Sequence, residues 1–210
     1  MTTLSGLVDV EEGVRLVRAG GVIAYPTEAV FGLGCDPSDG AAVARIVALK
    51  RRPPEKGFIL VASDARQLDP WLAPLEPAWR SRMDSAWPGP VTFVVPAAAD
   101  TPALLRGGRT TIAVRVSDHP VVRALCEGCG HALVSTSANE SGQPALRDAG
   151  SVAAAFGATS GTASVAAART AIGDSPDAPA RLDGVVVGET GGLGRPTRIV
   201  DVRTGRSLRD

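Results

Sequence analysis

Short apolar runs of strand length alternate along this chain with segments that have the periodicity of an amphipathic helix. Val22–Tyr25, Phe58–Ala62 and Ile112–Val116 are too short to be helices and contain β-branched residues. Segments with helical caps or proline starts, such as Asp9–Arg18 and Pro120–Glu127, lie between such runs. This interspersed order predicts an α/β (or α+β) fold with a mostly central sheet.

The same criteria predict further helices and strands. Ser38 is placed to cap a helix over Asp39–Lys50, which the two prolines at 53–54 cannot continue. Helices are also predicted over 77–86 and 151–156. The remaining predicted strands cover 91–95, 132–134, 185–187 and 199–202.

The composition fits a cytoplasmic protein without a membrane segment. The 210 residues are 44% hydrophobic, which suffices for a buried core, and three cysteines give no disulfide framework. The formal net charge is zero, so a wholly basic surface for nucleic acid is absent and any anion site must be local. No apolar run approaches the roughly 18 residues that span a bilayer, and residues 1–13 do not have the apolar stretch of a signal peptide.

One stretch has a different composition from the rest. Residues 158–180 are rich in alanine, serine, threonine, glycine and proline, with little periodicity. Such a segment is typical of a surface insertion or a mobile loop and not of a second domain. We therefore expect residues 1–210 to form a single domain.

A polar segment follows the first predicted strand. After Pro26 the chain reads Thr27-Glu28, and a Gly32-x-Gly34 pair comes soon after, which we interpret as a turn. This pair is not the dinucleotide fingerprint, because Pro37 stands where the third glycine would be. The segment is either a ligand site at a strand end or a tight turn with a polar rim.

The two lysines of the chain, Lys50 and Lys56, lie within seven residues of each other. A cation at a helix C-terminus complements the helix dipole, which explains Lys50. It does not explain Arg52 and Lys56 on either side of a stiff proline pair. These cations could clamp a triphosphate, or they could be a solvated charge run. At a helix end, the side chains of Lys50 and Arg52 are expected to be exposed.

A buried strand ending at Val134 leads directly into a dense group of hydroxyls and an amide. Hydroxyl and amide groups bind phosphate oxygens or an adenine edge without adding charge. A turn in which these side chains satisfy their own backbone is the alternative. The density of polar groups favours a binding site, formed by Ser135, Thr136, Ser137, Asn139 and Ser141.

Three other motifs do not indicate a site. The Trp87-Pro88-Gly89-Pro90 segment is a rigid entry into a strand, with Trp87 expected in the core. Cys126 and Cys129 lack the second pair that a zinc ribbon needs, and they close a helix instead of opening one. His119 and His131 have no serine or cysteine and carboxylate arrangement that would make a hydrolase triad.

Five of these segments, taken in order, resemble the YrdC-like (Sua–YciO–YrdC) family, and its short bacterial form most closely. The matching residues are 25–34, 50–52, 87–92, 113–116 and 135–142, within a similarity that runs from about 9 to 156 and resumes near 184. The long form of the family carries a further C-terminal domain that we do not expect here. The resemblance implies a single YrdC-like domain with a twisted mixed sheet and flanking helices around a basic cavity.

The resemblance also implies a reaction. L-threonine, bicarbonate and ATP would give threonylcarbamoyladenylate and pyrophosphate, and the product would pass to a tRNA-modifying threonylcarbamoyl transferase complex. Direct contact with tRNA stays open. Mg²⁺ would accompany ATP, held by phosphates and water because no protein carboxylate pair stands out, with Glu28 as a second-shell candidate.

The family's catalytic residues correspond here to Lys50 and Arg52, on the ATP phosphates, and to Ser137 and Asn139, on the nucleotide. Nucleotidyl transfer needs in-line positioning and charge stabilisation more than an activated nucleophile. A chain without a catalytic histidine or cysteine is therefore compatible with this chemistry.

The resemblance implies substrate-binding residues as well. Thr27 corresponds to a threonine-site residue, and Arg115 would neutralise a carboxylate of threonine or of its carbamate. Thr197 stands where the family often has serine, and it would touch the nucleotide. The other expected contacts are Lys56, Thr92, Ser135 and Thr136.

Three alternative functions fit the sequence less well. An RNA-binding module without catalysis is disfavoured by the zero net charge and by the absence of interleaved aromatic and basic residues. A related carbamoyl-transfer enzyme would need acylphosphatase-like and zinc-finger parts that do not fit in 210 residues. A YrdC-like paralogue with another acceptor is disfavoured by the complete set of Lys50, Arg52, Ser137 and Asn139.

Overall fold

In the computed structural model, which describes residues 6–159, 161, 165 and 181–209, the strands form one mixed sheet. The α/β fold and the mixed sheet are as predicted. The described part of the chain contributes ten strands. They are β1 (Leu7–Val8), β2 (Ile23–Pro26), β3 (Phe31–Gly34), β4 (Ile59–Ala62), β5 (Val91–Pro96), β6 (Thr111–Val116), β7 (Leu133–Ser137), β8 (Gly184–Val186), β9 (Arg198–Asp201) and β10 (Ser207–Arg209).

The strand order across the sheet is β1-β8-β2-β3-β7-β4-β6-β5-β9-β10. Four neighbouring pairs are parallel, namely β1–β8, β2–β8, β4–β6 and β5–β9, and the others are antiparallel. Strands distant in sequence are therefore neighbours in the sheet. In particular, the neighbouring strands β3, β7 and β4 bring together the three predicted polar segments, at 27–28, 135–141 and 50–56.

Helices flank both faces of the sheet. They are α1 (Val10–Arg18), α2 (Gly40–Lys50), α3 (Pro77–Asp84), α4 (Ala103–Arg106), α5 (Pro120–Cys129) and α6 (Ala149–Phe156). The short elements α4, β1 and β10, and strand β3, were not predicted. They have four residues or fewer, so they show too little periodicity to be recognised in a sequence.

Helix α1 illustrates why the longer elements could be predicted. The Asp9 carboxylate accepts a hydrogen bond from the Glu12 N–H at 2.8 Å, which caps the helix. Leu16 and Val17 are buried, and after the helix the Gly21 N–H donates a hydrogen bond to the Leu16 carbonyl. Local capping and burial of one apolar face determine both ends of the helix.

The predicted cap of α2 was wrong by one residue. Asp39, not Ser38, accepts hydrogen bonds from the N–H groups of the first turn, at Ala41 and Ala42. The Ser38 hydroxyl instead donates to the Asp36 carboxylate at 2.7 Å. The helix ends at Lys50 as predicted, before the two prolines at 53–54.

The interpretation of Gly32-x-Gly34 as a turn was also wrong, because both glycines lie in strand β3. A Cβ atom at Gly34 would stand 2.3 Å from the Val134 carbonyl oxygen and 2.7 Å from Cε1 of Tyr25. The Tyr25 hydroxyl donates to that same carbonyl at 2.9 Å. Glycine is required here for a close approach of side chain and strand, not for a turn.

The two faces of the sheet are covered unequally. One face packs against α2 and α6, and the other is covered by α1 and α5 only where β8, β2 and the end of β4 lie. Side chains alternate between faces along a strand, so Ile59, Ala113 and Arg115 continue the second face beyond α5. These residues line a cavity.

The predicted insertion and the membrane-spanning potential can be compared with the described residues only. The insertion predicted at 158–180 lies, apart from residues 158, 159, 161 and 165, outside the described residues. Within the described ranges, no helix is long and apolar enough to cross a membrane.

Candidate functional site

A cavity of about 660 Å³ opens on the face of the sheet that α1 and α5 leave uncovered. Its walls come from the β2–β3 connection, the turn after α2, strands β4 to β7 and the β9–β10 hairpin. Aspartate and glutamate are absent from its described lining, whereas six cations are present. The basic cavity implied by the resemblance is thus present, with the cations Arg52, Lys56, Arg106, Arg109, Arg115 and Arg209.

Arg115 is held at one end of the cavity, here called the Arg115 end and formed with Thr27 and Thr197. Its side chain is only 4% exposed, and one Nη atom donates to the hydroxyls of Thr197 at 2.9 Å and Thr92 at 3.2 Å. The other Nη atom lies 3.1 Å from the Glu28 carboxylate. The guanidinium is therefore oriented from several sides.

Glu28 compensates the charge of Arg115 from behind the cavity wall. One of its carboxylate oxygens accepts a hydrogen bond from the Ser117 hydroxyl at 2.7 Å, and the other faces Arg115. Glu28 is buried and does not line the cavity. The Glu28 carboxylate, which was a candidate for a second-shell contact to magnesium, therefore binds Arg115 and Ser117 instead.

Thr27 lines the cavity beside Arg115. It is buried, and its hydroxyl donates to the Val30 carbonyl at 2.7 Å, which leaves the oxygen lone pairs for another donor. The Gly191 N–H and the Leu193 N–H donate to the carbonyls of Thr27 and Glu28, both at 3.0 Å. The glycine-rich connection before β9 thus fixes the Thr27 turn.

The expectation that Lys50 is exposed was wrong, because its side chain is only 1% exposed. The ammonium donates to the Asn139 carbonyl at 2.7 Å, to the Asn139 side-chain oxygen at 3.1 Å and to the Ser137 carbonyl. Lys50 is not among the residues that line the cavity. Its three donors therefore fasten the end of β7 at Ser137 and the loop after it at Asn139.

Burial lowers the pKa of Lys50 to about 7, and the positive charges of Arg52 and Lys56 add to this effect. The loop that Lys50 holds is further closed by its own hydrogen bonds. The Ser137 hydroxyl donates to the Asn139 side-chain oxygen at 2.6 Å. Ser137 and Asn139 both line the cavity, as do Ser135, Thr136 and Gln143.

Arg52 and Lys56 lie on the opposite wall, here called the Arg52 wall and completed by Arg106 and Arg109. The half-buried Arg52 guanidinium donates to the Gly57 carbonyl at 3.0 Å and stacks over the Phe58 ring at 5.6 Å. Its Nε atom is buried and has no hydrogen-bond partner among the described residues. Burial lowers the pKa of Arg52, and the charge of Arg109 lowers it further.

Three cavity cations were missed by the sequence analysis, namely Arg106, Arg109 and Arg209. Arg209 donates to the Thr197 carbonyl at 2.8 Å, and burial followed by the charge of Arg115 lowers its pKa. These arginines come from a four-residue helix, the loop after it and the last strand. Their scattered positions give no local signal, because only the strand order brings them to one cavity.

The remaining sequence motifs lie away from the cavity. Burial raises the pKa of the Cys126 thiol to about 12 and that of Cys129 to about 11, which keeps both protonated near neutral pH. The Trp87 indole packs edge-on against Phe93 at 5.6 Å, as expected for a core residue. Over residues 6–159 and 181–209 no group of three or more histidine, cysteine, aspartate or glutamate side chains could hold a metal.

The chain belongs to the Sua5/YciO/YrdC family. Residues 15–175 match the sequence pattern of this family, which is described as "Telomere recombination". Relatives extend over nearly the whole chain. A threonylcarbamoyl-AMP synthase of Chromohalobacter salexigens is 46% identical over 200 residues, covering 95% of this chain and 96% of the relative. One of Xanthomonas euvesicatoria is 45% identical over 209 residues, covering 99% and 100% respectively.

Solved structures share the fold. Sua5 of P. abyssi, complexed with L-threonine, superposes with a TM-score of 0.79 at 25% identity, covering 98% of this chain. The chain spans only 56% of that longer protein. YciO of E. coli has a TM-score of 0.70 at 24% identity, covering 98% of this chain and 95% of its own. The latter similarity concerns the fold alone.

Proposed function

We propose that this chain is a threonylcarbamoyl-AMP synthase, which converts L-threonine, bicarbonate and ATP into threonylcarbamoyl-AMP and pyrophosphate. The observation that carries the proposal is a single cavity with two unlike cationic ends. The Arg52 wall has four cations held mainly by backbone carbonyls, and the Arg115 end has one buried, oriented guanidinium. The names of relatives at 43–48% identity agree with this activity.

The Arg52 wall suits the polyphosphate of ATP. Several cations that contact carbonyl groups instead of carboxylates create a positive potential, which a multiply charged ligand can neutralise. Arg52 and Lys56 would bind the phosphates, while Ser137, Asn139 and Thr136 would hydrogen-bond the nucleotide. Lys50 does not line the cavity and would act indirectly, by holding Ser137 and Asn139 in the conformation that binds the nucleotide.

The Arg115 end suits a small carboxylate. Arg115 would bind the carboxylate of threonine or of its carbamate, with Thr27, Thr197 and Ser135 as hydrogen-bonding neighbours. Thr92 would act through Arg115, because its hydroxyl accepts from that guanidinium. Since Glu28 balances the charge of Arg115, recognition here depends on geometry more than on net attraction.

The chemistry requires two bond-forming steps. The threonine amine and bicarbonate combine with loss of water to give N-carboxythreonine. A carboxylate oxygen of that carbamate then attacks the α-phosphorus of ATP, the bond from that phosphorus to the β-phosphate oxygen breaks, and pyrophosphate leaves with the electron pair. Residues that position the two substrates in line and stabilise the departing charge are sufficient for this step.

Mg²⁺ fits the cavity as a companion of ATP. The described lining offers hydroxyls and carbonyls but no carboxylate, a donor set that suits an ion bound mainly by phosphates and water. When bound, the ion would supply charge neutralisation on the phosphates. We place the reaction in the cytoplasm, with a tRNA-modifying transferase complex, and tRNA through it, as the downstream partners.

The first experiment measures pyrophosphate release from ATP and Mg²⁺, with threonine and bicarbonate each present or withheld. Release that requires both substrates is the expected result. If the folded protein binds ATP but releases no pyrophosphate, it is a paralogue with another acceptor. If it does not bind ATP, the alternative of an RNA-binding module gains support, and RNA binding should then depend steeply on salt.

A further inference from the structure

Arg109 fastens the turn that carries Lys56, although it comes from a distant part of the chain. Its Nη atoms donate to the carbonyls of Glu55 at 2.8 Å and Lys56 at 2.9 Å. Arg52 donates to the next carbonyl, that of Gly57, at 3.0 Å. Two guanidinium groups from separate loops are therefore anchored on three successive carbonyls of one turn.

Two glycines allow the loops to come this close. Gly57 and Gly107 both have positive φ angles, of 58° and 60°. A Cβ atom at Gly107 would lie 2.3 Å from the Glu55 carbonyl oxygen, so any side chain there would push the loops apart. The approach of Arg109 to Arg52 is thus built into the backbone.

This arrangement places positive charge in a cavity whose described lining contains no carboxylate. Burial lowers the pKa of Arg52, and the charge of Arg109 lowers it further. In the part of the chain that the structure describes, the buried Arg52 Nε atom has no hydrogen-bond partner. Like charges held together in a partly buried site raise the free energy unless an anion lies between them. The site therefore favours a ligand with several negative charges.

We infer that Arg109 is a further polyphosphate-binding residue, and that the phosphates of ATP and the departing pyrophosphate bridge Arg52 and Arg109. The inference rests on the proposed function, which makes ATP the ligand. The position within the sheet supports a polyphosphate over a threonine carboxylate. Arg109 precedes β6, whereas Arg115 lies near the other end of that strand, and Thr111 to Arg115 alone spans about 13 Å.

The inference is tested with Arg109→Gln, Arg109→Lys and, as a matched control, Arg206→Gln. Arg206 is an exposed arginine that does not line the cavity. Inorganic pyrophosphate, ATP, AMP and threonine are each titrated onto every variant, and these titrations require no turnover. Arg109→Gln is expected to weaken pyrophosphate and ATP binding about 10- to 100-fold, with AMP and threonine binding changed less than about 2-fold. Arg109→Lys should fall between the wild type and Arg109→Gln, and Arg206→Gln should match the wild type.

A purely structural role for Arg109 makes different predictions. If the residue only braces the turn, Arg109→Gln would leave the salt dependence of pyrophosphate binding unchanged. A contacting cation, once removed, makes that dependence shallower. Unchanged salt dependence, equal losses for AMP and pyrophosphate, or wild-type affinities in Arg109→Gln would each overturn the inference.

The proposed synthase activity and the proposed role of Arg109 can be disproved independently of each other. If pyrophosphate release from ATP does not require threonine and bicarbonate, but Arg109→Gln still loses pyrophosphate affinity selectively, the activity is wrong and the polyphosphate site stands. If release requires both substrates and Arg109→Gln binds pyrophosphate normally, the activity stands and the role of Arg109 is wrong.

Discussion

At the Arg115 end of the cavity the guanidinium is buried, paired with Glu28 and hydrogen-bonded to Thr92 and Thr197. At the Arg52 wall the cations are more exposed and rest on backbone carbonyls, without a carboxylate in the described lining. The first arrangement is rigid and nearly neutral, and the second is strongly positive. One cavity can therefore select a small group by orientation and a polyanion by charge.

Removing one partner of the buried Glu28–Arg115 pair should have the strongest effect, and this effect is on stability. Glu28→Ala would leave the Arg115 charge buried without its partner and should lower the free energy of unfolding by about 3–5 kcal/mol. Urea unfolding measures this, with the exposed Glu55→Ala as control. The double variant Glu28→Ala/Arg115→Ala should recover part of the loss. A loss below about 1 kcal/mol in Glu28→Ala would show that water replaces the carboxylate.

Removing a cation from the Arg52 wall should affect ATP more than stability. Arg52→Ala is expected to weaken ATP binding by about 2–3 kcal/mol, because charge-assisted hydrogen bonds to phosphate would be lost. The neighbouring Arg51→Ala, which does not line the cavity, is the control. Equilibrium binding of ATP and of threonine separates the two ends. Equal losses of both ligands would contradict the division of the cavity.

The buried Lys50 gives a dependence of stability on pH. The unfolded chain holds this proton up to the ordinary pKa of 10.5, whereas the folded protein releases it near 7, so the unfolded state binds more protons between these values. The stability of the wild type relative to Lys50→Met should therefore rise with pH above 7, by at most about 1.4 kcal/mol per pH unit. Urea unfolding between pH 6.5 and 9 measures this difference, with Arg206→Met as control. A flat difference would mean that the three acceptors keep the ammonium charged.

The smallest effect concerns the orientation of Arg115. Thr197→Val removes one hydroxyl acceptor of the guanidinium and should raise the KM for threonine about 5-fold, equivalent to about 1 kcal/mol, with little change for ATP. Steady-state pyrophosphate release measures both constants. The control is Thr110→Val, an exposed threonine that does not line the cavity. An equal rise in the KM for ATP would place Thr197 with the nucleotide, as the sequence suggested.

Much of the fold could be predicted because its signals are local. The cap at Asp9, the helix stop before the prolines at 53–54 and the apolar runs of the longer strands all depend on residues within one or two turns. The misassignments also have local causes. Ser38 and Asp39 are both favourable N-cap residues, so the sequence does not distinguish them. The glycines of strand β3 resemble a turn in the sequence, because the packing of Tyr25 over Gly34 is not visible there.

The candidate site was predicted less completely. Thr27, Arg52, Ser137 and Asn139 were identified from the resemblance, and Lys56 from the charge pattern around the two prolines. The cavity brings these five residues together, although their roles in binding stay predictions. The side chain of Lys50 was expected in solvent, because a helix end is usually exposed. Its burial depends on the loop after β7, which lies more than 80 residues away in the chain.

The class of fold, the longer helices and strands, and the residue types available for a phosphate-binding site can be recognised in the amino-acid sequence. These follow from periodicity, capping and composition, which act over short distances along the chain. The pairing of Glu28 with Arg115 and the grouping of Arg52 with Arg109 depend on the tertiary structure. The order β2-β3-β7-β4-β6 places Glu28, which follows β2, behind Arg115 of β6. The parallel pairing of β4 with β6 brings Arg52 and Arg109 onto one turn. Such pairings join residues far apart in sequence, so their energies depend on burial and distance that no local pattern encodes.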